Sequence, residues 1–107
     1  MDYSKGSLVV IKVNKLFPNY DFLGANHSGF LLGEKIKEYL NKGEDITIDF
    51  EGFRLITSGV AYNMFANVLD SYSLKDIKKH VKLENTTDTI KQMINIMIKV
   101  KVNENRI

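Results

Sequence analysis

A chain of 107 residues, 44% hydrophobic and 26% charged, has room for one hydrophobic core and carries too much apolar content to remain disordered. Its 15 Lys and Arg against 13 Asp and Glu leave a net charge of +2, too small to imply nucleic acid by itself. Cysteine is absent, which removes disulfides, thiolate zinc sites and a cysteine nucleophile, and no apolar run reaches the ~18 residues of a membrane span.

The opening Met1-Asp2-Tyr3-Ser4-Lys5 lacks the charged-then-apolar order of a secretion signal, so a cytoplasmic protein with a single domain over residues 1–107 is expected. Ser7 to Val13 is short and β-branched between Gly6 and Asn14, which predicts a largely buried first strand. Lys15 to Ser28 holds the only proline, Pro18, and reads as an irregular connection with a short strand around Tyr20 to Leu23. Ser28 is expected to cap a helix over Gly29 to Asn41, where Leu32, Ile36, Tyr39 and Leu40 recur at helical spacing and Gly43 stops the run. Ile46 to Phe50 alternates Ile46, Ile48 and Phe50 with Thr47, Asp49 and Glu51, predicting a strand with one buried and one polar face.

Beyond that strand, Thr57 and Ser58 stand where a helix must begin. Val60, Ala61, Met64, Phe65, Val68 and Leu69 form the apolar stripe of a helix over Gly59 to Leu69, with Tyr62, Asn63, Asn67 and Asp70 outside it. A polar link at Asp70 to Ser73 leads to a strand within Lys79 to Glu84. Asn85 and Asp88 resemble a capping arrangement for a last helix, whose stripe is Ile90, Met93, Ile94, Met97 and Ile98, and residues 103–107 are expected to fray. The fold class that follows is α/β (α+β), with about four strands in a mixed sheet and about three helices on it.

The chemistry this sequence offers is concentrated at one corner. At the start of a helix, unpaired N–H groups and the helix dipole favour a phosphate or a partner's carboxylate, and Thr57 and Ser58 lie at such a start. Ser58 reads either as a plain N-cap or as a switchable contact. His27 and His80 are 53 positions apart with no partner at ligand spacing, so no metal site is expected. Asp49 and Glu51 share a strand face but point to solvent in the simplest reading, and no glycine-rich nucleotide loop occurs. No cofactor and no enzymatic activity are expected. The aromatic residues Phe17, Tyr20, Phe22 and Phe30 read as core closure, with a peptide groove as the alternative. Residues 75–107 carry eight Lys and Arg against four Asp and Glu, the basis for a secondary reading as a nucleic-acid surface.

Two segments stand out as motifs: Gly24-Ala25-Asn26-His27-Ser28-Gly29, and Ile48-Asp49-Phe50-Glu51-Gly52-Phe53 followed by Ile56-Thr57-Ser58-Gly59-Val60-Ala61-Tyr62-Asn63-Met64-Phe65. They resemble the STAS fold of sulfate transporters and anti-sigma-factor antagonists, and more specifically a small bacterial STAS-like family of unassigned function. The first is similar to the glycine-serine opening of that family's first helix, and the second to its Asp-Phe strand and Thr-Ser helix start. Ile56 stands where antagonists carry an acid, and Tyr62 and Asn63 replace the STAS-like family's acidic pair. The resemblance implies a non-enzymatic protein-interaction module whose Ser58 is the candidate phospho-acceptor for a GHKL-type ATPase or kinase-like regulator. The expected partner-binding residues are Arg54, Thr57, Ser58, Tyr62, Asn63 and Asn67. A phage or mobile-element inhibitor that occludes a host defence protein is the alternative, and the chain is expected as a monomer or homodimer.

Overall fold

The computed structural model describes residues 7–106, so the readings of Met1 to Lys5 and of Ile107 lie outside it. Hydrophobic runs set its elements: β1 (Leu8–Lys12), α1 (Val13–Leu16), β2 (Phe22–Leu23), α2 (Asn26–Asn41), β3 (Asp45–Asp49), β4 (Leu55–Ile56), α3 (Ser58–Ser71), α4 (Leu74–His80), β5 (Val81–Glu84) and α5 (Asp88–Glu104). The class is α/β as expected. Its strands all run parallel and divide into two sheets, β1-β3-β5 and β2-β4, in place of one mixed sheet.

Ile11, Ile46 and Ile48 point from the three-stranded sheet into the core, where they meet Leu32 and Ile36 of α2, Val60, Met64 and Val68 of α3, and Ile90 and Ile94 of α5. Burying each such side chain contributes about 1.5–3 kcal/mol before entropy is counted. The opposite pleat carries Leu8, Val10, Lys12, Lys82 and Glu84, all exposed. Yet Thr47 and Asp49 of that same pleat are 5% and 8% exposed, against the expectation of a polar, solvated face. Their position explains it: Thr47 is flanked in register by Val10 and Lys82, and Asp49 by Lys12 and Glu84, so neighbouring side chains cover the central strand.

Several boundaries differ from expectation for local reasons. Ser28 lies inside α2, which begins at Asn26 after Ala25 and has no side-chain cap, whereas Gly43 ends that helix with φ +74° as anticipated. The link after Asp70 is short, because Ser73 caps the additional helix α4 by accepting from Asp76 N–H, and His80 closes that helix ahead of the strand. Thr87, not Asn85, caps α5, accepting from Ile90 N–H at 3.2 Å. Residues 103 and 104 are helical, and the Asn105 amide donates to Leu69 C=O, which ties the end of α5 to α3. Of the expected α5 stripe, Ile90 and Ile94 are fully buried while Met93, Met97 and Ile98 are half-buried.

Candidate functional site: the Thr57–Ser58 corner

The corner forms because β4 is held to β2 immediately before α3 starts. Thr57 N–H donates to Leu23 C=O at 3.1 Å, its hydroxyl donates to Gly24 C=O at 3.2 Å, and the same oxygen accepts from Val60 N–H at 3.3 Å. Thr57 is therefore the N-cap, and Ser58 occupies the first helical position. This overturns the capping alternative for Ser58. Its exposed hydroxyl makes no hydrogen bond to another described residue.

Glycines bring α2 against this corner. A methyl group on Gly29 would meet the Val60 backbone, with Cα at 2.8 Å, and one on Gly33 would lie 2.7 Å from Asn63 C=O. The two helices thus touch main chain to main chain along a Gly29-x-x-x-Gly33 seam. That spacing of four is the sequence signal for this close helix packing.

The other expected contact residues are distributed unevenly. Arg54 is exposed, and its guanidinium donates to Asp21 at 2.8 Å, holding that carboxyl below its ordinary range. Its carbonyl accepts from the Thr87 hydroxyl at 2.9 Å, so Arg54 also joins the corner to α5. Tyr62 is half-buried and donates to Glu104 at 2.5 Å, a carboxylate contact that, with burial, pushes the phenol above its usual pKa. The Asn63 amide donates to Gly59 C=O at 2.8 Å within its own helix. Asn67 is exposed, but nine residues of helix put it about 13 Å along from Ser58 and roughly half a turn round the axis. Among the six, only Ser58 and Asn67 have side chains without a described hydrogen-bond partner, and they face different directions.

Sequence reasoning assigned the neighbouring aromatic residues to the core, and the structure moves them outward. Tyr20, Phe22 and Phe30 are 64%, 41% and 40% exposed, and only Phe17 is half-buried. Phe17, Tyr20 and Phe22 line a 350 Å³ groove with Gly24, Ala25 and Ser28. The Thr57 hydroxyl bond to Gly24 fastens one wall of that groove to the corner. His27 stacks at 6.4 Å on Phe30, and His80 contacts Asp45 at 2.8 Å, so the two histidines are engaged separately. Asp49 accepts from the Asn85 amide at 2.8 Å and from Glu51 N–H at 2.9 Å, which lowers its pKa against the opposing effect of burial. A carboxylate bound in this way is a structural acceptor, unlike the solvent-facing pair expected of Asp49 and Glu51. Among the described residues, no group of three or more His, Asp or Glu side chains is arranged to hold a metal ion, and no helix is long and apolar enough to cross a membrane.

No curated protein and no solved structure matches the chain. A family model described as a STAS-like domain of unknown function matches residues 29–91, more than half of the sequence and including Thr57 and Ser58, and the chain belongs to that family.

Proposed function

We propose that this member of the STAS-like family is a non-enzymatic regulatory module that docks a protein partner through the Ser58 corner and the aromatic groove beside it. The observation that carries the reading is the exposed Ser58 hydroxyl on the first turn of α3, one residue after a cap that already satisfies the helix. A hydroxyl in that position has no folding task, and it stands at the positive end of a helix dipole. The exposed rings of Tyr20 and Phe22 supply the apolar area that interfaces favour.

Ser58 is the phospho-acceptor in this proposal, and a GHKL-type ATPase or kinase-like regulator is the partner, by likeness to anti-sigma-factor antagonists. Phosphorylation adds a charge of about −1.5 to −2, which breaks a contact made by the neutral hydroxyl. The test is tagged capture from the source cells with the native chain, Ser58→Asp and the double variant Tyr20→Ala/Phe22→Ala, together with phosphopeptide mapping of Ser58. A partner recovered by the native chain and lost by both variants supports the proposal. Equal recovery by all three removes it.

A further inference from the structure

We propose a second binding site, at the outer edge of β1, that accepts an extended acidic segment of a protein partner as an additional strand. It uses a surface separate from the Ser58 corner and does not depend on it. Asp45 N–H donates to Ser7 C=O at 3.2 Å, which fixes the odd-numbered residues of β1 as those facing β3. Backbone groups alternate sides along a strand. Leu8 and Val10 therefore direct both N–H and C=O, and Lys12 its N–H, away from the sheet, where β1 is the edge and no described strand pairs with it. Unpaired edges of this kind are templates for strand addition.

The surface beside that edge has a definite chemistry. A 320 Å³ groove between β1, α1 and α2 is lined by Val10, Lys12, Lys15, Leu16, Lys35 and Tyr39 among others. Its charged lining is entirely cationic, and none of the three lysines forms a salt bridge with a described residue. Lys12 attracts Asp49, but that carboxylate already accepts two hydrogen bonds. Leu16 and the Tyr39 ring offer apolar contact for alternate side chains of an added strand, while the lysines select acidic residues between them. The same charge disfavours a second copy of this chain as occupant, because pairing two β1 edges brings both sets of lysines to one seam. The β1 and α1 part of the groove precedes the span matched by the family model, residues 29–91.

The probe is a fluorescein-labelled eight-residue peptide alternating Glu and Val, with a Lys-Val peptide as charge control. Binding is read by anisotropy and by backbone amide NMR. The expected result is binding of the acidic peptide with shifts at Leu8, Val10 and Lys12. Lys12→Glu/Lys35→Glu then weakens affinity by about tenfold or more, while Lys79→Glu/Lys82→Glu, at the opposite, β5 edge of the sheet, changes it by less than about twofold. Val10→Pro removes an outward N–H at an edge position that tolerates proline, so it abolishes binding while thermal unfolding stays cooperative. Four results overturn the proposal: no binding at millimolar peptide, equal binding of the Lys-Val peptide, equal loss in both lysine pairs, or shifts confined to other residues. Sedimentation showing a dimer through β1 in the absence of peptide also overturns it, in favour of self-pairing.

Discussion

Replacing Gly29 with alanine tests the main-chain contact between α2 and α3. The added carbon would stand 2.8 Å from Val60 Cα and closer still to the Val60 carbonyl oxygen, whereas carbon atoms rest at about 3.5–4.0 Å. The helices must therefore part locally by about 0.7 Å or more, and each is pinned, α2 by Leu32 and Ile36 and α3 by Met64 and Val68. Overpacking costs about 1–3 kcal/mol, and a backbone neighbour that cannot rotate aside puts this site in the upper part of that range. Alanine returns about 1 kcal/mol through its helix propensity. The net loss is about 1–2 kcal/mol, or roughly 5–15 °C in Tm for a domain of this size. Urea unfolding and thermal scans of Gly29→Ala measure it directly. Gly33→Ala behaves similarly, and the double variant costs less than the sum because one opening accommodates both methyls. Gly59→Ala is the control, since the atoms nearest its methyl belong to the Asn26 side chain, which is exposed and can swing away. A Gly29→Ala protein as stable as the native chain, or more stable, would refute the close seam.

Three further outcomes follow from the hydrogen bonds. Thr57→Ala loses a helix cap and the tie to Gly24, costing about 1–2 kcal/mol in urea unfolding, while Ser58→Ala stays within about 0.5 kcal/mol. Asn85 has φ +56°, so Asn85→Gly keeps its backbone and removes only the amide that helps depress the Asp49 pKa. A depressed carboxylate adds stability above its unfolded value, near 3.8, that is lost as pH falls through the folded value; the gap between native chain and variant is therefore widest near neutrality and closes in acid. Deleting residues 103–107 removes the Glu104 contact to Tyr62 and the Asn105 contact to Leu69, lowering stability by about 1–2 kcal/mol in thermal or urea unfolding, where a frayed tail would cost nothing.

Periodicity made β3, α3 and α5 legible, because each buries a stripe long enough to register above its neighbours. It missed what depends on other parts of the chain. The helix α4 has one buried residue, Ile77, among lysines, so no stripe announces it. The strand β4 is two residues long and exists by pairing with β2. Asp49 is covered by β1 and β5, which no pattern within β3 can reveal. The corner was found at Thr57 and Ser58, but their roles differ by one position, because capping depends on which oxygen reaches Val60 N–H. The outward turn of Tyr20 and Phe22 follows from where the β2 backbone is tethered, and aromatic content alone assigned both rings to the interior.

Where Gly29 and Gly33 let the two helices touch main chain to main chain, no side chain stands between them to change rotamer and absorb movement. Under the function proposed for Ser58, that stiffness means that a charge added there would alter the electric field a visitor meets without reshaping the floor on which it lands, so discrimination would rest on the arriving molecule's own charge and fit.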